Sequence, residues 1–307
     1  GVRGAAHVAG EAGFDDVLTM DMGGTSCDVS LVRDGDPVVT TEGQVGDYPV
    51  TVPMVDVHTI GAGGGSIAWV DEGGSLRVGP RSAGADPGPI CYGRGGTAPT
   101  VTDAHLLLGR IDPDSFFEGS ADESTVRDAM AERVADPLGL SVTEAAQGIV
   151  DVANANMERA LRVVSVERGH DPRDFSLVAY GGAGPLHAAE LAAELDVPRV
   201  VVPRSAGVLS ALGLLISDAV YEEGVSTVRP WADVDPAALT ERFESMAASG
   251  RDRLTAEGYP PDRRRVERAV DLRYRGQSFD LRVSVPDGRL DDDALSSIAD
   301  RFHERHE

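Results

Sequence analysis

Residues 17–32 constrain the fold more than any other stretch of the 307-residue chain. Residues 17–20 are a short apolar run ending in Asp21, Gly23 and Gly24 follow, and residues 27–32 alternate in strand fashion. Period-two alternation marks a strand with one buried face, and glycines between two such runs mark a tight turn. The segment therefore reads as a β-hairpin with its tip at the glycines. Residues 177–180 form another apolar strand, running into Gly181-Gly182-Ala183-Gly184-Pro185, after which residues 186–195 take helical spacing. A proline just past the glycines sits where a first helical turn tolerates it. With a further strand at 199–202, the order strand, glycine turn, helix, strand is that of a parallel α/β layer.

The stretches between these anchors fill in the layers. Residues 38–44 are expected to be the third strand of the hairpin's meander. Residues 55–60 lead into Gly61-Ala62-Gly63-Gly64-Gly65-Ser66, and 67–70 with 76–78 make a second hairpin around Gly73-Gly74. From 79 to 96 the chain is mostly Gly, Pro, Ala and Ser, a loop long enough to be functional or mobile. Helices are expected at 103–108, 123–135 and 143–168. The last carries apolar Ala146, Ile149, Val150, Ala153, Met157, Ala160, Leu161 and Val164 at helical spacing. Residues 208–216 read as a buried helix. Two domains follow: an α/β domain over 1–218 and a smaller, incomplete α+β domain over 219–307. The second is built from a strand at 221–228, a helix at 236–257, a hairpin of 265–274 with 278–285, and a helix at 291–307.

Composition narrows the function. The formal charge is −23, and all 28 basic residues are Arg. Mechanisms needing a lysine, whether a P-loop clamp or a Schiff base, are excluded. An acidic surface also argues against duplex nucleic acid as a partner, and suits a protein kept hydrated in a salty cytoplasm. Two cysteines, Cys27 and Cys91, make no disulfide framework and fit a reducing cytoplasm. No run approaches the ~18 apolar residues of a membrane helix, and residues 1–13 lack a signal-peptide pattern. The chain opens on Gly1, so the true N-terminus is expected upstream.

Glycines at the 23–24 tip let backbone N–H groups approach an anion with no Cβ in the way. Thr25 and Ser26 add hydroxyl donors, and Asp21 is placed to manage Mg²⁺ or an attacking water. An ordinary hairpin explains the same residues about as well. The 181–184 turn presents the positive end of a helix and leaves room for a base and ribose, although such turns also serve as plain packing devices. A phosphate hairpin followed about 150 residues later by Gly-Gly-x-Gly is the actin-like way of clamping ATP.

The resemblance then sharpens. Asp21-Met22-Gly23-Gly24-Thr25-Ser26-Cys27-Asp28 resembles the second phosphate hairpin of seventy-kilodalton chaperones and sugar kinases. Thr59-Ile60-Gly61-Ala62-Gly63-Gly64-Gly65-Ser66, Ser82-Ala83-Gly84-Ala85-Asp86-Pro87-Gly88-Pro89, Thr100-Val101-Thr102-Asp103-Ala104 and Glu167-Arg168-Gly169-His170-Asp171-Pro172-Arg173 match the hydantoinase A/oxoprolinase family in order. Gly181–His187 and Gly207-Val208-Leu209-Ser210-Ala211-Leu212-Gly213 continue the match. It runs from about 17 to 217 and is weaker beyond 220. The resemblance implies an actin-like (ribonuclease H-like) α/β core with a mixed sheet and flanking helices. It implies ATP and Mg²⁺, with Asp21 catalytic and Gly23, Gly24, Thr25, Ser26, Gly181, Gly182 and Gly184 binding the nucleotide.

The implied reaction is ATP-dependent opening of a cyclic amide (hydantoin, N-methylhydantoin or 5-oxoproline) by phosphorylation of its carbonyl oxygen, with a hydantoinase B-type partner subunit in a homo- or hetero-oligomer. The alternatives are the ATPase subunit of an acetone- or acetophenone-type carboxylase, or a non-enzymatic actin-like module. His58, Asp103 and His187 stand in or beside three of the motifs and are candidate ligands for Zn²⁺ or Mn²⁺. Equally, Asp103 suits a helix N-cap, while His58 and His187 suit a loop and a turn. The family carries an earlier Asp-x-Gly-Gly-Thr hairpin that does not precede Asp21 here. This chain alone is therefore expected to bind nucleotide weakly.

Overall fold

The computed structural model describes residues 1–40, 43–45, 48–50, 54–112 and 122–306. The chain forms two units, Gly1–Ser217 and Asp218–Glu307. In chain order the first begins with α1 (Val2–Glu11), β1 (Val17–Met22), β2 (Cys27–Arg33), β3 (Asp36–Pro37), β4 (Val57–Ile60), β5 (Ser66–Val70) and β6 (Leu76–Ser82). It continues through α2 (Val101–Leu107), α3 (Glu123–Met130), α4 (Val142–Val164), β7 (Ser176–Tyr180), α5 (Gly184–Glu194), β8 (Val200–Val201) and α6 (Leu209–Ile216).

The main sheet has the order β8-β7-β1-β2-β3, with β4 also paired to β2. β7 is parallel to β1 and to β8, whereas β2 is antiparallel to β1, β3 and β4. An antiparallel meander continued by parallel strands is the mixed, ribonuclease H-like arrangement expected from the motifs. β7 is buried throughout and β1 nearly so, because helices cover both faces of the sheet. Leu18, Met20 and Met22 pack with Ile149, Ala153 and Met157 of α4 and with Leu191 of α5. Val17, Val178 and Tyr180 pack on the other face with Ala5, Ala9 and Leu209. Each fully buried large side chain contributes about 1.5–3 kcal/mol. The α4 helix starts at a capping box, Ser141 with Glu144, and buries the apolar stripe legible in its sequence.

Several elements differ from expectation. The edge beside β2 is shared by β3 and β4, so 38–44 is not one strand: Val39–Thr40 pairs with Met54–Val55, and Gly43–Val45 with Tyr48–Val50. Residues 41 and 42 lie outside the described residues. The α1 helix was not anticipated, since its buried face is only Gly4, Ala5, Ala6 and Ala9, too small to stand out as an apolar stripe. It crosses α6 backbone to backbone, where a Cβ on Gly4 would stand 2.7 Å from the carbonyl oxygen of Leu209. The α6 helix buries only Leu209 and Gly213, leaving Leu214 and Leu215 about four-fifths exposed.

The second unit packs α7 (Pro236–Ala256) and α8 (Asp292–His306) with a ribbon of β9 (Arg268–Leu272) and β10 (Leu281–Val285). Phe243, Val283, Val285, Leu295, Ile298 and Phe302 form its core. Residues 221–228 carry no strand. They are tied instead by side chains, among them Arg282 to Glu222 and Arg242 to Thr227. No helix among the described residues is long and apolar enough to cross a membrane.

Candidate functional site

Asp21 is the penultimate residue of β1, at the carboxyl edge of the parallel strands, the edge where open α/β sheets bind ligands. In the hairpin register Asp21 lies directly opposite Asp28 of β2, and beside Tyr180 of β7. Two carboxylates facing one another across a hairpin repel. Each has a hydroxyl donor: Ser210 Oγ donates to Asp21 Oδ2 at 2.9 Å, and Thr59 Oγ1 donates to Asp28 Oδ1 at 2.6 Å. Burial, reinforced by Asp21, pushes the Tyr180 phenol well above its ordinary value. Burial likewise pushes the Cys27 thiol up to about 12, with Asp28 and then Asp21 adding to it, so that thiol is inert.

Beyond Asp21 the hairpin tip is closed by the Gly23 N–H donating to the Ser26 carbonyl at 3.1 Å. Gly24 and Thr25 are exposed, and a Cβ on Gly23 or Gly24 would meet nothing within 4 Å. The 61–65 loop supports the tip from the other side. Gly64 N–H donates to Gly23 O at 3.0 Å and Gly65 N–H to Gly24 O at 2.7 Å. At Gly63 the approach is so close that a Cβ would lie 2.5 Å from Gly24 C and Thr25 N. The loop is itself fixed by Thr102 of α2, whose N–H and Oγ1 both donate to Gly64 O at 2.8 Å. These bonds occupy the carbonyls of the tip and leave its outer side to a ligand.

The 181–184 turn forms the neighbouring wall. Gly181 has φ +80°, and a Cβ there would lie 2.3 Å from Met22 O and 2.6 Å from Asp21 Oδ1. Ala183 N–H donates to Met22 O at 2.9 Å, while a Cβ on Gly182 would meet only open space. The structure thus gathers Asp21, Gly23, Gly24, Thr25, Ser26, Gly181, Gly182 and Gly184 around one edge of the sheet. It adds the 61–65 loop, Asp28 and Ser210.

His58, Asp103 and His187 do not form such a group. Among the described residues no three or more His, Cys, Asp or Glu side chains are arranged to hold a metal ion. Asp103 is fully buried, with its carboxylate accepting from Ile90 N, Cys91 N, Thr100 N and Thr100 Oγ1 at 2.8–3.3 Å. The N-cap of α2 is Thr100, and Asp103 completes the capping box at the third helical position. His58 lies on β4 opposite Val29. His187 is wholly buried against His105 and Asn154. Cys91 is buried, and burial followed by Asp103 pushes its thiol far up, as befits an inert residue.

Of the residues that sequence reasoning left out of the site, the 61–65 loop carried a signal in its glycines. Ser210 stands in the matched 207–213 segment, but nothing local ties it to Asp21, its partner 189 residues away. A separate cleft of about 440 Å³, lined by Arg162, His170, Asp171, Arg173, Glu194 and Asp196, lies at the carboxyl end of α5, opposite the glycine turn.

The hydantoinase/oxoprolinase family model matches residues 1–223. The caprolactamase alpha subunit of Pseudomonas jessenii is 40% identical over 304 residues, covering 97% of this chain and 44% of that protein. The crystal structure of the caprolactamase matches with a TM-score of 0.74 at 38% identity, over 99% of this chain and 45% of that one. The acetophenone carboxylase gamma subunit of Aromatoleum aromaticum is 39% identical over 297 residues, 93% of this chain and 40% of that protein. Nucleotide-free acetone carboxylase matches with a TM-score of 0.85 at 28% identity, over 100% of this chain and 45% of that one. The chain therefore spans less than half the length of the relatives it matches.

Proposed function

Because the chain belongs to the hydantoinase/oxoprolinase family, we propose that it is the ATP-handling core of an enzyme that opens cyclic amides. The activity is assigned to a longer polypeptide with a partner subunit of the hydantoinase B type, in a reducing cytoplasm where Cys27 and Cys91 stay unpaired. The observation that carries the reading is the hairpin tip, its carbonyls tied down by the 61–65 loop and its open side beside Asp21. Backbone N–H groups of the tip, with Thr25 and Ser26 hydroxyls, suit phosphate oxygens. The 181–184 turn, at the positive end of α5, suits the nucleoside side.

The opposed pair Asp21 and Asp28 fits a hard divalent cation, which relieves their repulsion. Mg²⁺ held there by Asp21 and Asp28 would supply charge neutralisation of the phosphates. Asp21 orients the γ-phosphoryl end, held in turn by Ser210. Amide carbonyls resist water, so activation comes first. The γ-phosphoryl group passes from ATP to the amide oxygen, leaving ADP and a phosphorylated imidate. Water then adds to the carbon and the ring C–N bond breaks, releasing the amine. A second water hydrolyses the acyl phosphate to carboxylate and phosphate.

A carboxylase reading is favoured by one observation, the 39% identity to the acetophenone carboxylase subunit. One assay decides between them. The complete enzyme with its partner is given ATP and a panel of hydantoin, 5-oxoproline and a simple lactam, and phosphate release is measured. Release dependent on a cyclic amide is expected. Release dependent instead on a ketone with bicarbonate, and on no amide, would overturn the amide reading in favour of the carboxylase.

A further inference from the structure

Behind the glycine-lined edge, five polar side chains run in one line from a partly exposed ion pair, Arg110 with Glu190, into the packed interior. Arg110, which follows α2, donates to Glu190 Oε1 of α5 at 2.7 Å. Asn154 Nδ2 of α4 donates to Glu190 Oε2 at 2.6 Å, and Asn154 Oδ1 lies 2.6 Å from His187 Nδ1 of α5. His187 Nε2 then lies 3.1 Å from His105 Nε2 of α2. Both imidazoles are almost wholly buried.

Every proton in this line follows from its charged end. Glu190 only accepts, so Asn154 must turn its amide NH₂ toward it and its carbonyl toward His187. The carbonyl needs a donor, so His187 carries its proton on Nδ1. A neutral His187 then offers a bare Nε2, and His105 must carry its proton on Nε2 to donate to it. His105 Nδ1 is left as a buried acceptor with no partner among the described residues. The four hydrogen bonds of the line fit one arrangement of protons, and a slide or rotation of either helix breaks it.

The two helices it links end at the two walls of the hairpin tip. His187 lies one turn into α5, whose first residue closes the 181–184 turn that Ala183 bonds to Met22. His105 lies one turn along α2 from Thr102, which holds the 61–65 loop beneath Gly23 and Gly24. We propose that His187 and His105 are positioning residues that lock the 181–184 turn and the 61–65 loop in register with each other around the hairpin tip. The role toward nucleotide rests on the reading of that tip as an ATP site; the locking of the two walls does not.

Two measurements test it separately. In the 307-residue chain, ¹⁵N NMR of the imidazoles should show His187 protonated on Nδ1 and His105 on Nε2, each as one tautomer. Replacing His105 by Phe should move the amide signals of Gly63, Gly64, Gly65, Gly181 and Gly182, none of which touches the substituted ring. In the complete enzyme, His105→Phe and the milder His187→Asn should raise the KM for ATP about tenfold or more with kcat within about twofold. Averaged tautomers, or glycine amides that stay in place in a folded variant, would overturn the lock. An intact lock in an enzyme with no ATP dependence would instead overturn the ATP reading alone. ATP-dependent turnover with an unchanged KM in both variants would remove the nucleotide role from the two histidines.

Discussion

The front and the back of the site are built on opposite principles. At the front, around Asp21, nearly all of the geometry is backbone: the 61–65 loop and the 181–184 turn lie so close to the hairpin that no side chain fits between them. At the back, between α2, α4 and α5, the geometry is set by side chains whose hydrogen bonds allow one arrangement. The front decides what can approach, and the back decides whether the walls that meet it stay aligned. The difference predicts that front substitutions act on chemistry or fit, while back substitutions act on affinity and on stability toward acid.

The largest effect is expected at Asp21. Asp21→Asn keeps the shape and the bond from Ser210 but removes the charge. In the complete enzyme it should cut ATP turnover by at least about a hundredfold, with thermal melting unchanged or raised by relief of the repulsion from Asp28. A phosphate-release assay with full substrate checks this, and retained turnover would take Asp21 out of the mechanism.

The glycines at the front allow a sharper test, because two neighbours in space should behave oppositely. A methyl group on Gly63 has backbone atoms 2.5 Å away, whereas one on Gly24 meets nothing within 4 Å. Gly63→Ala should therefore lower stability by about 1–3 kcal/mol. Gly24→Ala should change stability by less than about 0.5 kcal/mol, yet weaken ATP binding by obstructing the open side of the tip. Denaturant melts and nucleotide titration separate the two. Equal losses of stability would mean that the tip is not supported from beneath as described.

Much of this front was legible before the structure. Strand alternation around Gly23 and Gly24 marks the hairpin, and Gly181 through Pro185 mark a strand-to-helix turn, because both signals are local in sequence. The contacts that complete the site are not local. Ser210 reaches Asp21 across 189 residues, and His105 meets His187 across 82. As a histidine in a motif, His187 suits either a metal ligand or a turn. Its true neighbours, an amide and a second imidazole, depend on how three helices pack. The cap expected at Asp103 lies three positions earlier: Thr100, and not the aspartate, takes it, and the carboxylate closes the box behind it. The small-residue face of α1 has no apolar signature, although it packs against Val17, Val32, Val178 and Tyr180 of the sheet.

The back of the site should announce itself in acid. Burial lowers His105 to about 4, with Arg110 adding to it, and lowers His187 to about 3, with His105 and then Arg110 adding to it; Glu190 opposes the shift at His105. An unfolded histidine takes its proton near pH 6.5. Between that value and about 4 the unfolded chain thus binds more protons than the folded one, and stability falls as pH falls through this window. The pair's contribution is complete above about pH 6.5. Urea melts at pH 7 and pH 4.5 should differ by more in the native chain than in the paired variant His105→Phe with His187→Leu. An equal difference in both would assign the acid sensitivity to other groups.

The smallest effect tests where front and back meet. Ser210 sits on α6, outside the histidine line, and gives Asp21 a hydroxyl bond at 2.9 Å. The pair is partly open to solvent, so the bond is worth on the order of 1 kcal/mol, toward the low end for a charge-assisted contact. Ser210→Ala should then lower kcat about three- to tenfold and leave the KM for ATP nearly unchanged, since the bond orients Asp21 without touching the nucleoside. Ser210→Thr, which keeps the hydroxyl, should recover most of the rate. A rise in KM with constant kcat would show Ser210 acting on ATP binding. Wild-type kinetics in the alanine variant would mean that the close packing of Gly181 against Asp21 Oδ1 is enough to orient the carboxylate.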